Sequence, residues 1–340
     1  MPVPSQTINY DSIRTFVQDQ LMPSFPDQIF EESALSKMMM MGDKISLDGK
    51  YVAGQKGGQF IQQPLEYGET EAVGTYENYE TVSIQPADPF TSALFKTINY
   101  YGSVSISHDE ILAVSGDLAI ANLVTKKVEN VRKSMKKQIA KDLYTGTGVK
   151  SVVGLDLAIS DTGTYGNIPR TSDYEWWKAG VDSVAHTTDN MKNSLHASYL
   201  LTLLANGFAF TNRANEHFDL LLMRQETWDT YENIIQTLGL TINSSSSKIV
   251  KQMADAGFQA FEWRGIMMVV DNFIDSVEKP MYGVNTNYLT LYVHPQNNFI
   301  MTPFKESQDQ PHTKVAQITA KLGLAISNPS HFYRWSNLNN

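Results

Sequence analysis

Cysteine is absent from the 340 residues of this chain, and with it go disulfide frameworks, thiolate zinc sites and thiol nucleophiles. The redox compartment stays open on that evidence, and stability has to come from packing or from partners. No apolar run approaches the roughly 18 residues of a membrane span. The start, MPVPSQTINYDS, has no basic region followed by an apolar core. A protein of the cytoplasm without membrane contact is expected.

Catalytic wording is equally scarce. Neither HExxH nor GxSxG occurs, and the seven histidines (His108, His186, His196, His217, His294, His312, His331) never fall at metal-ligand spacing. Gly146, Gly148 and Gly154 follow a helical pattern, whereas a dinucleotide loop follows a strand and opens a helix, so they read as a helix stop. Carboxylates such as Asp271 and Asp275 are too common in acidic loops to carry a hydrolytic claim. Asn243-Ser244-Ser245 matches a sequon inside a serine-rich loop, without a secretion signal. The chain is therefore expected not to be an enzyme, and no catalytic, cofactor-binding or metal residue is assigned.

What is present points to a folded protein. Hydrophobic residues make up 42% of the chain, with 16 Tyr and 15 Phe, ample material for a core. A length of 340 residues suggests two or three lobes. The net charge of −9 argues against a dedicated nucleic-acid binder, which needs a concentrated basic surface.

Charge is unevenly placed. Residues 126 to 141 carry Lys126, Lys127, Arg132, Lys133, Lys136, Lys137 and Lys141 against the single carboxylate Glu129, while residues 57 to 95 carry Glu66, Glu69, Glu71, Glu77, Glu80 and Asp88 and no base. Such asymmetry can steer one surface onto another, although a solvated helix face is the ordinary fate of a lysine row.

Periodicity gives the elements. Val124, Val128, Val131, Met135, Ile139 and Leu143 recur three or four residues apart, with Asp117 at the start and Gly146 at the end, which predicts a helix over 117–145. At about 1.5 Å per residue it spans roughly 40 Å, long for an element serving one compact core. A short amphipathic helix is expected over 11–21, adaptable methionine packing over 38–41, and a two-stranded projection over the glycine-punctuated stretch 50–96. An isolated hairpin is marginal in water, so that projection needs a supporting surface, its own or a neighbour's. Tyr100, Gly102, Val104 and Ile106 alternate in a strand. Helices are expected near 194–204 and 224–238, and strands at 218–223, 258–263 and 265–270. Leu289, Leu291 and Val293 mark a further strand, and Ile318, Ala320, Leu322, Leu324 and Ile326 share one face of a closing one. Trp176 and Trp177 are expected in a strand, one ring to each side, as packing rather than as a ligand platform. The fold class is α+β with long-range strand pairing.

Several passages carry a resemblance. They are the acidic arm GGQFIQQPLEYGETEAVGTYENYETV, then YYGSVSISHDEIL, the long helix ending DLYTGTG, GLDLAISDTGTYGNIPRTSDYEWWKAGVDS, YLTLYVHPQNNFIMTPF and KVAQITAKLGLAISNPSHFYRW. In order and wording this resembles the major capsid proteins of tailed bacteriophages, with the Hong Kong 97-like fold. The most specific section runs from Gly154 through Ile168 and Arg170 to Trp177. The resemblance implies an N-terminal arm at 1–49, an extended β-hairpin loop at 50–96, and a peripheral domain with a long spine helix at 97–150. An axial α/β domain at 151–284 and C-terminal strands returning to the peripheral domain at 285–340 complete it.

The function so implied is self-assembly into the icosahedral shell enclosing double-stranded DNA, a virion capsid assembled in the bacterial host cytoplasm. Implied partners are identical subunits in hexamers and pentamers, a portal, a possible decoration protein and packaged DNA contacted non-specifically. The start at Met1 and the lack of a long charged helical segment before the arm add an expectation of a separate scaffolding protein. Glu66, Glu69, Glu71, Glu77 and Glu80 of the loop, with Lys126, Arg132, Lys133, Lys136, Lys137 and Lys141 of the helix, are the candidate inter-subunit contacts. Some members of that family join arm lysines to asparagines by isopeptide bonds. Here Lys50 and Lys56 lie near the arm and Asn328, Asn337, Asn339 and Asn340 near the end, but no motif links them and a non-covalent shell is expected. Two other readings stay open: an encapsulin-type nanocompartment shell holding cargo enzymes, and a soluble enzyme with a site assembled from scattered Asp, His and Arg residues.

Overall fold

The structure, a computed structural model, describes residues 33–40, 52–54, 60–68, 73–79, 89–113, 117–182, 197–213, 216–237, 260–307 and 312–336. The helix expected over 11–21 lies outside them. Ala34–Met40 forms α1, Val52–Gly54 β1, Phe60–Glu66 β2 and Phe90–Lys96 β3. β4 (Ile98–Ser107) leads into α2 (His108–Ala113) and α3 (Asp117–Thr145). Then come α4 (Leu155–Ala158), β5 (Thr164–Tyr165), β6 (Ile168–Pro169), a 3-10 turn over Ser172–Trp177, and β7 (Gly180–Asp182). α5 (Ala197–Thr211), β8 (Leu220–Met223), α6 (Gln225–Thr237), β9 (Ala260–Trp263), β10 (Ile266–Val270) and β11 (Met281–Val284) follow. The chain closes with β12 (Leu289–Val293), β13 (Ile300–Met301), β14 (Lys305–Glu306), β15 (Thr313–Ile326) and β16 (Tyr333–Trp335).

These elements fall into two compact units, one holding Asn99–Ile139 and His294–Lys321, the other Ser33–Ile98, Ala140–Val293 and Leu322–Asn340. In the first, β4, β13 and β14 all pair with β15. β4 alternates as its sequence predicts: Tyr100, Val104 and Ile106 are buried while Asn99, Tyr101, Ser103 and Ser105 face solvent. Its buried face meets α3 at Gly102, where a Cβ would stand 2.5 Å from Val131 Cγ1 and 2.7 Å from Met135 Sδ. Only a glycine lets strand and helix come this close, and the stripe of α3 then buries Met135 and Ile139.

The second unit is built on a mixed sheet in the order β7-β16-β11-β8-β10-β9. β8 and β10 run parallel and are buried along their whole length, as expected where both faces of a sheet are covered. Arg264 and Gly265, at φ 50° and 82°, make the tight turn that folds β9 back on β10. Leu200, Leu203 and Leu204 of α5 and Trp228 of α6 pack on Phe218, Leu221, Met268 and Trp335. In the same unit β1 adds to β12 in parallel, and β12 pairs with Leu322–Ile326 of β15.

Two buried polar nodes hold this unit. Asp271, 2% exposed, accepts hydrogen bonds from Ser33 Oγ at 2.6 Å, Tyr144 Oη at 2.8 Å, Phe273 N at 3.0 Å and Leu35 N at 3.1 Å. It thereby ties the start of α1 to the last turn of α3. Asp275, its companion in sequence, only turns its own loop by accepting from Val277 N and Glu278 N. Arg170 is buried with carbonyl partners: it donates to Leu157, Ala158, Thr162 and Trp177 oxygens and lies 5.1 Å from the Tyr165 ring centroid. Its guanidinium thus closes the C-terminal end of α4 with positive charge.

Replacing Gly102 with Ala should lower stability by about 1–3 kcal/mol, because β4 and α3 must part to admit the methyl group; urea unfolding followed by circular dichroism would read the loss. Alkaline pH should weaken the second unit as well. Burial, with Asp271 beside Tyr144 and Asp156 beside Tyr282, raises both phenols well above their usual value, and burial also raises Tyr165. The unfolded chain releases these protons near pH ~10 while the folded chain keeps them, so stability is fully present below that and falls as pH rises further. Arg170, brought down to about 10 by burial, works in the opposite sense, one group against three. A urea midpoint unchanged between about pH 9 and about pH 11 would contradict this.

Candidate inter-subunit surfaces

β2 and β3 pair antiparallel from Phe60↔Lys96 to Glu66↔Phe90, forming a ribbon that belongs to the second unit. Its inner face carries Ile61, Ala93 and Phe95, all buried. Ala93 and Phe95 rest on the β5–β6 hairpin, whose tip residues Gly166 and Asn167 have φ 59° and 67°, the twist a two-residue hairpin needs, while Ile61 lies against Gly323 of β15. A Cβ on Gly166 would meet Ala93 at 3.0 Å and Phe95 at 3.1 Å, and the Gly166 carbonyl accepts the Leu94 amide at 2.9 Å. Phe95 in turn packs on Tyr165 at 5.2 Å between centroids. The root of the projection is thus supported by its own chain.

The outer face is not covered. Phe60 is 56% and Phe90 65% exposed, with Leu94, Pro64 and Glu66 also exposed. Beyond it, 73–79 presents Val73, Tyr76 and Tyr79 to solvent, Tyr79 at φ 75°. Of the acidic candidates, Glu66 stands on the outer face and Glu77 is exposed near Tyr76; Glu69, Glu71 and Glu80 lie outside the described residues. The exposed apolar strip escaped the sequence reading, although the signal was there: FIQQPLE and FTSALFK put apolar residues at both phases of a period of two.

An aromatic chain leads from the ribbon inward. Tyr67 stacks on Trp176 at 5.4 Å and 21°, and Trp176 lies 5.4 Å from Trp177, which is fully buried and donates its indole N–H to the Tyr165 carbonyl. This corrects the strand expected at Trp176 and Trp177: they end a 3-10 turn, where adjacent residues are not on opposite faces, so Trp177 is buried and half-buried Trp176 packs between it and Tyr67.

The basic candidates all lie on α3. Lys126, Arg132, Lys133, Lys136 and Lys141 are exposed and Lys137 is half-buried. Lys126 reaches Glu129 at 3.5 Å, a weak surface contact. Lys127 is different: it bonds both Glu110 oxygens, at 2.6 and 2.7 Å, and the Ser105 carbonyl at 3.2 Å, pinning α3 to β4 and α2. The structure therefore gives Lys127 a role inside the subunit.

The histidines are scattered in kind as well as in place. His108 and His312 border a small cleft with Ile111, Glu306 and Lys314, and His331 is buried, its Nδ1 3.1 Å from the Thr211 carbonyl and its ring stacked on Tyr288. Among the described residues no group of His, Asp or Glu is placed to hold a metal ion, and no helix is long and apolar enough to cross a membrane. Of the asparagines near the end, Asn328 caps a short 3-10 turn, accepting from the Ser330 amide and hydroxyl; Lys50, Lys56, Asn337, Asn339 and Asn340 lie outside the described residues.

No family model matches the sequence, and no curated protein does. Solved structures do match. The capsid asymmetric unit of cyanophage A-1(L) superposes with a TM-score of 0.62 at 16% identity, covering 93% of this chain and 96% of that one. The fold is the Hong Kong 97-like capsid fold. The capsid of Myoviridae phage XM1 has a TM-score of 0.54 at 12% identity over 94% and 97% of the two chains. The holo-SrpI encapsulin complex of Synechococcus elongatus PCC 7942 has 0.53 at 10% identity over 94% of each. The Hong Kong 97-like likeness thus runs almost end to end while identity stays low: the fold is retained where residue identities are not.

Changing Tyr67 to Ala should loosen the ribbon while leaving the core intact, since an aromatic pair contributes about 0.5–1.5 kcal/mol. Trp176 emission should shift to the red, read against a Trp176→Phe control, and protease cleavage within 60–96 should quicken. Unchanged emission and cleavage would show that the stack does not hold the ribbon.

Proposed function

We propose that this chain is the major capsid protein of a tailed bacteriophage, assembling into an icosahedral shell that encloses double-stranded DNA. The observation that carries the reading is the Hong Kong 97-like fold matched over nearly all of both chains by a cyanophage capsid subunit, joined to a ribbon with one uncovered face. An encapsulin-type compartment is the second reading, favoured by the encapsulin complex among the similar structures. The phage reading ranks first because the cyanophage likeness is greater in both TM-score and identity.

In this reading residues 1–49 are the N-terminal arm, 50–96 the extended loop, 97–150 the peripheral domain with α3 as spine, 151–284 the axial domain, and 285–340 the returning strands. Identical subunits form hexamers and pentamers in the host cytoplasm, with a separate scaffolding protein, a portal and a possible decoration protein. DNA is touched non-specifically, which suits a chain of net charge −9, since packaged nucleic acid has to slide and be released. The loop carboxylates Glu66, Glu69, Glu71, Glu77 and Glu80 face Lys126, Arg132, Lys133, Lys136, Lys137 and Lys141 of α3 in an adjacent copy, or scaffolding bound there. Exposed pairs contribute about 0–1 kcal/mol each, so burial and register supply most of the contact and charge selects it.

Reversing Lys133, Lys136 and Lys137 to Glu should cut shell yield roughly tenfold or more, through the loss of a few kcal/mol per contact, with the unfolding midpoint of the free subunit little changed. Electron microscopy and sedimentation of the chain expressed with its neighbouring gene products would read this. Normal shells from the variant would remove the proposed contact. Empty DNA-sized shells formed with a scaffolding protein support the phage reading, and shells filled with a cargo enzyme support the encapsulin reading.

A further inference from the structure

We infer that the free edge of β4 is a docking site for an extended acidic segment of a separate protein, taken up as an added strand; the inference stands apart from the shell reading. Among the described strands β4 pairs only with β15, so its other side is an edge. The hydrogen bonds fix which groups lie along it. On β15, Thr313, Gln317 and Lys321 serve the 294–307 side: Ser307 N donates to Thr313 O at 3.0 Å, Thr302 N to Gln317 O at 2.8 Å, and Lys321 N to Asn297 O at 2.8 Å. The even-numbered residues of β15 therefore serve β4. The His108 amide, donated to the His312 carbonyl at 2.8 Å, sets the matching phase on the β4 side. Burial along β4 alternates without a break, so no bulge shifts that phase. The odd residues Asn99, Tyr101, Ser103, Ser105 and Ser107 thus turn their N–H and C=O groups outward. Side chains already cap that row at one end. Lys127 donates to the Ser105 carbonyl at 3.2 Å, and the Ser107 amide donates to Glu110 at 3.0 Å. The clip stops there, and the amides and carbonyls of Asn99, Tyr101 and Ser103 have no partner among the described residues. Such a row is a template for a further strand, which natural edges blunt with lysine, proline or a bulge. INYYGSVSIS has neither charge nor proline.

Charge decides the occupant. Residues 99–139, 294–307 and 312–321 of the first unit hold nine Lys or Arg and five carboxylates. Of these carboxylates, Glu110 and Glu129 are each paired with a lysine, at 2.6 and 3.5 Å, and Glu306 stands opposite Lys314. Asp109 and Asp117 belong to α2 and the start of α3, at the clipped end, because α3 runs from there past Ser105 at Lys127 to Gly102 at Met135. On the sheet face that Tyr101 shares, β15 presents Lys321, and Lys305 stands opposite Val315; no carboxylate of the described strands joins them. The field along the open edge is thus positive. Carboxylates would steer an incoming strand while its backbone supplies the bonds. The chain's own acidic loop is a poor occupant, since its described stretch 73–79 carries Gly74 and a left-handed Tyr79, φ 75°, and forms no strand.

The test uses the full chain with three synthetic peptides: acetyl-Thr-Glu-Val-Glu-Thr-Glu-amide, the same peptide with Lys for every Glu, and the acidic peptide N-methylated at every amide, which cannot pair. Hydrogen exchange read residue by residue is expected to slow at the Asn99, Tyr101 and Ser103 amides with the acidic peptide, roughly tenfold when it stands at about ten times its Kd. The other two peptides should leave it unchanged. Tyr101→Pro removes an N–H of the edge and none of the β4–β15 ladder, so the variant should keep its unfolding midpoint and lose the protection at Asn99 and Ser103. Should it misfold, the N-methylated peptide on the wild-type chain answers the same question. Equal protection by the acidic and basic peptides overturns the acidic partner, and protection by neither overturns the docking site. Amides already protected in the chain alone, free or assembled, would show that this chain covers its own edge, and overturn the inference as well.

Discussion

The Leu94 amide bonded to the Gly166 carbonyl, with Ala93 and Phe95 pressed on the β5–β6 hairpin and Ile61 against Gly323 of β15, fixes a two-stranded ribbon to its own unit by one face. Everything proposed about assembly follows from that one-sidedness. Two strands by themselves bury too little to persist in water, and the hairpin supplies the missing layer on one side. On the other side Phe60 and Phe90 remain in solvent, which a monomer has no reason to retain and a lattice has. Tyr67 on Trp176 extends the same anchoring outward to the point where the ribbon leaves its support.

Charge plays a different part from burial. The lysines of α3 are mostly exposed, and the Lys126–Glu129 ion pair at 3.5 Å is the sort that contributes little. Lys127, held to Glu110 and to the Ser105 carbonyl, is set apart by its short contacts and serves the packing of its own unit. In the shell proposed above, the remaining bases of α3 act through orientation: a basic helix face and an acidic loop of the same chain would favour heterologous contact between copies over contact between like faces.

Inside the second unit, rigidity comes from polar groups that are buried and fully engaged. Asp271 gathers donors from α1, α3 and its own turn, and Arg170 spends its guanidinium on carbonyls around α4. Groups like these are costly to bury and costlier to leave unpaired, so they tolerate few alternative arrangements. The sequence order of the Hong Kong 97-like fold is thus clamped at places where chain segments far apart in number have to meet.

Read as sequence, the chain already declared what is local. The stripe of α3 and the glycine after it marked Asp117–Thr145, and the alternation of β4, β12 and β15 marked their buried faces, because period and punctuation are properties of neighbouring residues. The candidate carboxylates and bases were likewise visible as charge. Trp176 and Trp177 were misread because a 3-10 turn and a short strand look alike over two aromatic residues. What no local pattern could hold was the meeting of distant parts: Asp271 among Ser33, Leu35 and Tyr144, the Gly166 tip under Leu94, β1 beside β12, and the choice of which ribbon face stays wet. Those were decided in the tertiary structure, since burial and hydrogen bonding across a hundred residues or more depend on which surfaces remain once the others have packed.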